Sequence, residues 1–401
     1  MTGGLIEMRV ENFRSLRQVA IPLGPLNVLV GPNGAGKSNV LEIFRFLSDV
    51  ILTDLEPALD ARGGFDEVVF RGGVRAPGTI RISLRATWTR YSSVNAPDEY
   101  QLAVIRRALR GGTSLSRKET FQFKRTQGRG RRITISGEKA AVIGIDRNEE
   151  EFPERTFGIR RMSSGLSTLP RLSPEEGGAE VAAVAERLAS FRVFDVSVPA
   201  ARLPSRLPRG RDEVLDHDAA NLAAFLLALR GKDENSWAQL VADASEVLPQ
   251  VEGIDFEFPA GPARQVVVAL RERGLRQPTQ LSDASYGTIR LLGLLALLYD
   301  PNPPALTCVE EIDHGLHPQA LELLVERLRE ASDRTQFIIA THSPALADRL
   351  RPEEMIVCER DDDGSSSIPA ISPAEIRRIV EESEDLPLGD LWFSGALGGD
   401  L

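Results

Sequence analysis

The sequence predicts an α/β fold: a mixed or parallel sheet around a phosphate-binding loop, an antiparallel β subdomain, and a long inserted α+β region. Three observations carry this reading. Residues 31–38 read GPNGAGKS, which fits G-x-x-x-x-G-K-[ST], and they lie between an apolar strand-like run at 26–30 and a helix-like run at 39–47. Two further apolar runs, 305–309 and 336–340, each end in polar residues. Buried parallel strands end this way at the edge where ligands bind. Residues 79–89 alternate instead, with Ile80, Ile82, Leu84, Ala86 and Trp88 on one face, as a half-buried strand does.

Residues 5–10 and 19–23 form two short strands around Glu11-Asn12-Phe13-Arg14-Ser15. A hairpin just before a phosphate loop can cover the base or ribose side of a nucleotide, which makes Arg14 a candidate contact. A surface arginine in a turn is the alternative. In the loop, Gly31, Gly34 and Gly36 allow backbone angles that turn successive N–H groups toward phosphate oxygens. Asn33, Ala35 and Asn39 complete the candidate cradle. The helix that follows adds its positive dipole end. Lys37 supplies a point charge for the β and γ phosphates, and Ser38 a hydroxyl ligand for Mg²⁺.

Residues 65–73 read as a strand or turn ending in glycines. Residues 90–136 are polar with apolar bursts and read as β-hairpins or loops. Bases gather there: Arg106, Arg107, Arg110, Arg117, Lys118, Lys124, Arg125, Arg129, Arg131 and Arg132, against Asp98, Glu99 and Glu119. Tyr91, Tyr100, Phe121 and Phe123 are interleaved. Such a basic arm over 106–132 is a candidate DNA contact. A solvated face is the competing reading. Residues 146–154 are an acidic loop. A helix is expected over 174–192, a strand over 191–198, a linker or mobile loop over 199–216. An amphipathic helical pair follows at 219–230 and 236–248, then strands at 254–258 and 265–271.

Residues 281–288 read LSDASYGT and precede an apolar helix at 289–299. Ser285 and Gly287 at that helix start offer a hydroxyl and N–H groups to an anion. Glu310 and Glu311 follow the buried strand at 305–309. Two acids there are costly unless they serve an ion or a partner. In a phosphate-loop protein the first acid holds Mg²⁺ and the second polarises the attacking water, so Glu310 is the candidate metal ligand and Glu311 the candidate general base. His314 and His317 lack the further ligands a zinc site needs. Pro318 suits the first turn of a helix over 319–331. His342 follows the strand at 336–340 and is the candidate γ-phosphate sensor.

Composition sets the outer bounds. The chain has 401 residues, 42% hydrophobic and 26% charged, with a net charge of −10. That acidity does not favour nucleic acid for the chain as a whole. Both cysteines, Cys308 and Cys358, sit in apolar runs and read as core residues of a reducing compartment. The amino terminus lacks the segments of a signal peptide. The longest apolar run, 291–299, falls far short of the ~20 residues of a membrane span. The expectation is a cytoplasmic protein with no membrane anchor. Three segments are expected: 1–89 and 265–401 as the two parts of one head, and 90–264 as an insert.

The ordered set GPNGAGKS, SYGT, CVEEID, GLHP and THSP resembles the ABC-type ATPases of the structural-maintenance-of-chromosomes and RecF kind. Within them it resembles the stand-alone AAA-type ATPases related to the overcoming-lysogenization-defect (OLD) family. MRVENFRSL at the start and LWFSGALGG near the end are similar to that branch too. The resemblance covers about residues 1–89 and 265–358. It implies an ABC-type ATPase head with ATP and Mg²⁺ as cofactors, and a homodimer in which two heads sandwich two ATP molecules. Lys37 and Ser38 of one head would face Ser285 and Gly287 of the other. Glu310 and Glu311 match the metal and catalytic carboxylates, His342 the switch histidine, and 313–317 the loop that crosses the interface. The Ser-Tyr-Gly-Thr signature departs from the transporter-like Leu-Ser-Gly-Gly, which disfavours a transporter motor. No acids of a Toprim nuclease domain are evident after His342, and Asp361-Asp362-Asp363 reads as a solvated turn. The resemblance therefore implies an ATPase acting in DNA repair or phage defence with a separately encoded effector. The alternative is a regulatory or scaffolding subunit that gates a protein partner without DNA.

Overall fold

The computed structural model describes residues 4–74, 76–109, 112–124, 130–145, 155–171, 178–207, 213–260, 264–383 and 386–398. A five-stranded sheet lies at the centre, in the order Arg192–Phe194, Leu306–Glu310, Gln336–Thr341, Leu26–Val30, Met355–Val357. Every pairing in it is parallel. All residues of Leu26–Val30 and Gln336–Thr341 are buried. This is what a parallel sheet covered on both faces requires.

The two faces are separate cores. Leu29, Cys308, Ile338, Ala340 and Ile356 face the helices Lys37–Thr53 and Gly178–Ala189. Val28, Val30, Val309, Ile339 and Val357 face Leu222–Lys232, Tyr286–Leu298 and Pro318–Ala331. The alternation is the period of two that a strand imposes. On the first face the Phe44 and Phe191 rings meet edge to face at 5.8 Å.

The first core continues into an eight-stranded antiparallel sheet, ordered Leu16–Pro22, Leu5–Phe13, Thr79–Ala86, Asp98–Leu109, Gly112–Phe123, Gly130–Ser136, Lys139–Ile145, Arg155–Gly158. Ile80, Ile82, Leu84 and Ala86 are buried as the alternation predicts. The sheet runs unbroken from Thr79–Ala86 into Asp98–Leu109, so a division at residue 90 crosses it. The basic stretch is thus built into the sheet. Much of its charge is paired there: Arg106 with Asp66, Arg117 with Glu119, Lys124 with Glu99, Arg131 with Glu180. Arg107 and Lys118 are exposed. Arg110, Arg125, Arg129 and the acidic run at 146–154 lie outside the described residues.

Other elements differ from expectation in detail. Residues 65–73 contain a four-residue helix, Phe65–Val68, in place of a strand. The helix expected over 174–192 spans Gly178–Ala189, and the strand after it is Arg192–Phe194. Part of the expected linker is ordered as a helix, Val198–Ala201, and a two-residue strand, Ser205–Arg206. The helical pair is Leu222–Lys232 and Glu234–Val247, with Asp233 capping the second through Ser236 N. Asp361-Asp362-Asp363 forms the turn of a small hairpin, Glu359–Arg360 with Ser366–Ser367. No helix among the described residues is long and apolar enough to cross a membrane.

Candidate active site

Strand register brings the candidate residues to one edge. Thr341 pairs with Val30, and Glu310 with Ala340. The residues that follow these strands are Gly31, Glu311 and His342. All three leave the carboxyl edge of the parallel sheet, where open α/β sheets bind ligands.

The phosphate loop is shaped by close approach. Gly34 and Gly36 have φ of 84° and 103°, a region that favours glycine. A Cβ on Gly36 would overlap Ser366 Oγ and fall 2.8 Å from Ser15 Oγ. A Cβ on Gly31 would overlap Cys358 O. Gly36 is the N-cap of Lys37–Thr53, and no side chain caps that helix. Its first-turn N–H groups thus suit an anion.

Lys37 is buried, with Nζ donating to Gly31 O (2.7 Å) and Pro32 O (2.9 Å). Burial pushes its pKa down, opposed by Cys358, Glu311 and Asp313. Asn33, Gly34 and Ser38 are exposed. Ala35 is buried, and its N–H donates to Pro32 O at 3.3 Å. Asn39 Nδ2 donates to Ser15 Oγ at 2.7 Å, so its amide braces the loop. This donor set, an uncapped helix start with a buried ammonium, fits a phosphate chain. Arg14 has a φ of 50° and lines a cleft of about 530 Å³ with Ser15, Asn39, Arg71 and Arg360.

The acids sit across the edge. The Glu310 side chain is 25% exposed, and Arg45 Nη2 lies 3.7 Å from its Oε1. Burial pushes its pKa up; Arg45 opposes this, and Asp195, Glu42 and Glu311 add to it. A carboxylate so weakly paired, with the Ser38 hydroxyl on the same side of the sheet, fits a hard cation that takes oxygen ligands. Glu311 has a φ of 46°, a strained backbone for a non-glycine residue. Its Oε2 lies 3.2 Å from His314 Nδ1. His342 is exposed at the end of its strand. Thr341 Oγ1 donates to Asp313 Oδ1 at 2.5 Å and accepts from Ser343 N at 3.0 Å, which ties the His342 turn to the loop after the acids.

Ser285 caps Tyr286–Leu298, accepting from Thr288 N at 3.1 Å. Among the described residues no hydrogen bond or ion pair joins Ser285 or Gly287 to the phosphate loop of the same chain. Gly287 instead lies against Gly315, where a Cβ would fall 2.8 Å from the Gly315 carbonyl oxygen.

Three supports were not read from the sequence. Arg290 Nη2 donates to Glu310 O (3.2 Å) and Glu311 O (2.6 Å), and Nη1 to Val196 O (3.0 Å). It is the single charge in YGTIRLLGLLALL, and a lone arginine in an apolar helix is a signal that it has a buried partner. Ser366 Oγ donates to Ser15 Oγ at 2.7 Å, and Arg360 Nη1 to Gly34 O at 3.3 Å. No sequence pattern links these positions.

Comparison with known proteins places the chain. Residues 26–92 and 107–348 match the family described as "AAA domain, putative AbiEii toxin, Type IV TA system". The chain belongs to this AAA-domain family. It is 24% identical over 363 residues to the OLD nuclease of Thermus scotoductus, covering 90% of this chain and 62% of that protein. The DNA replication and repair protein RecF of Anaeromyxobacter sp. is 37% identical over 79 residues, which is 19% of this chain and 21% of that one. The chain thus spans less than two thirds of the length of these curated relatives. A Smc head bound to the C-winged helix domain of ScpA superposes with a TM-score of 0.53 at 12% identity, over 91% of this chain and 96% of that one. The Smc head with an extended coiled coil from Pyrococcus furiosus gives 0.53 at 13%, over 95% and 100%. At such identities the likeness speaks for the fold alone, which is that of an SMC-type head, as the motifs implied.

Proposed function

We propose that this AAA-family chain binds ATP with Mg²⁺ and hydrolyses it, and that two copies close around the nucleotides. The observation that carries this reading is the shared edge: phosphate loop, Glu310, Glu311 and His342 follow neighbouring parallel strands in register. In this mechanism Lys37 Nζ exchanges the carbonyls of Gly31 and Pro32 for β- and γ-phosphate oxygens. The first-turn amides of Lys37–Thr53 hold the same phosphates. Ser38 and Glu310 would hold Mg²⁺, which neutralises charge on the transferred phosphoryl group. Glu311 accepts the proton of the attacking water, and His342 contacts the γ-phosphate. Arg14 and Asn39 border the nucleoside side.

Pairing is inferred from Ser285. It is exposed, caps a long helix, and among the described residues makes no hydrogen bond to its own phosphate loop. A second copy that brings its phosphates to Ser285 and Gly287 would complete both sites. ATP then favours the closed pair because the open one lacks those contacts.

The output we infer is DNA-linked, in repair or defence, with a separate effector in a reducing cytoplasm. The named relatives support the DNA link, and the two free, buried cysteines support the compartment. A second reading, a subunit that gates a protein partner without DNA, gains from the paired state of Arg106, Arg117, Lys124 and Arg131. ATP turnover with and without DNA at two salt concentrations separates them. DNA stimulation that weakens with salt supports the first reading; its absence leaves the second.

A further inference from the structure

The helix Tyr286–Leu298 reaches the candidate base by two routes. One is backbone support: Arg290, 3% exposed, donates to the carbonyls of Glu310 and Glu311. The other passes through a histidine. Tyr286 opens the helix, and its ring lies 5.7 Å from that of His314, at 51°. His314 Nδ1 in turn lies 3.2 Å from Glu311 Oε2. Among the described residues this is the hydrogen bond that holds the Glu311 carboxylate.

The two turns pack closely where they meet. A Cβ on Gly315 would come within 2.6 Å of Tyr286 Cδ1, and one on Gly287 within 2.8 Å of Gly315 O. Gly315 itself has a φ of 71°. A shift of the signature turn therefore presses on the turn that carries His314.

We propose that His314 is a positioning residue for Glu311: it orients the carboxylate and couples that orientation to the turn at Ser285, Tyr286 and Gly287. The proposal rests on Glu311 being the general base. The Glu311 side chain is 51% exposed, so its own packing leaves its torsions free. A carboxylate only accepts, so His314 carries its proton on Nδ1. A base that drifts by about 1 Å can lose on the order of a hundredfold in rate. Whatever docks on the exposed turn then acts on the base of the same chain. In the paired arrangement that object is the other copy's nucleotide, so each copy's phosphates set the aim of its partner's base. The two nucleotides are coupled through differential contact, as allostery requires.

The test has a spectroscopic and a kinetic arm. The chain has four histidines, so ¹⁵N-histidine labelling gives a readable ring spectrum. The expected signal for His314 is protonation at Nδ1, lost in Glu311→Ala. In turnover assays His314→Ala should lower kcat roughly tenfold or more, with the ATP Kd and thermal midpoint unchanged. His314→Gln, which keeps an N–H donor, should recover most of the loss. Tyr286→Ala should lower kcat as well, and the double variant should fall short of the sum. A His314 protonated at Nε2 alone, a wild-type kcat in His314→Ala, or additive losses would overturn the proposal. If Glu311→Gln hydrolyses ATP normally, the base assignment beneath it fails. If only Glu311→Gln loses turnover and His314→Ala does not, the positioning role alone fails.

Discussion

Two regions of this chain treat charge in opposite ways. In the antiparallel sheet, Arg117 and Glu119 are both fully buried and 3.1 Å apart. Glu119 also accepts from Gly165 N at 3.0 Å, Ser164 Oγ at 3.1 Å and Tyr100 OH at 3.3 Å. Burial lifts its pKa to about 7 despite these donors. At the edge of the parallel sheet, Glu310 is part-buried with its nearest cation at 3.7 Å, and Glu311 is held by one imidazole. The first region pairs its charges with each other inside the sheet, with Arg117 Nη1 left buried without a hydrogen-bond partner. The second leaves oxygen atoms under-satisfied at a surface, which is the state a metal and a phosphate chain would complete.

The largest effect should come from opening the closed region. Arg117→Ala leaves Glu119 buried without its cation, and should cost about 3–5 kcal/mol in urea unfolding. Wherever the variant is folded, its nucleotide affinity should be unchanged. A mild loss would show that water reaches the pair. At the open edge, Lys37→Ala should weaken ATP binding by about 2–3 kcal/mol while stability holds, read by calorimetric titration and melting. Unchanged affinity would remove the phosphate-loop reading.

Glu310 sharpens the contrast through pH. Burial raises its folded pKa above the ordinary 4.5, so the folded state holds that proton more tightly than the unfolded one. Stability from this group is present below 4.5 and declines as pH rises through the raised value. Glu310→Gln should remove the decline, so its stability relative to wild type grows with pH while Mg²⁺-dependent turnover is lost. A gain that is flat with pH would contradict this. The smallest effect is expected at the exposed Arg107 and Lys118. The double change to glutamate should alter stability by under about 0.5 kcal/mol. If the sheet contacts DNA, the same change should lower affinity and flatten its salt dependence.

The site was more legible in the sequence than its setting. Residues 31–40 and 310–342 contain their own signals, because phosphate loops and strand-end acids are local patterns in residue type and spacing. The central strands were legible for the same reason, as apolar runs with polar ends. What was hidden depends on partners far away in the chain. Arg117 and Glu119 stand two apart on one strand and so share a face; the burial of that face under Ser164 and Gly165, from about 45 residues on, is what a count of basic residues does not contain. Ser366 reaches Ser15 across almost the whole chain. Phe65–Val68 is too short for a helical period to register. Arg290 was visible as a lone charge, but its target was not.

The open edge is proposed to hydrolyse ATP within a pair of chains. Glu311→Gln tests it most directly, by size exclusion with ATP and Mg²⁺ alongside phosphate release. Abolished release and a stable, ATP-dependent dimer are expected, because the sites can close without cleaving what holds them shut. Normal release, or a variant that stays monomeric with ATP bound, would contradict it.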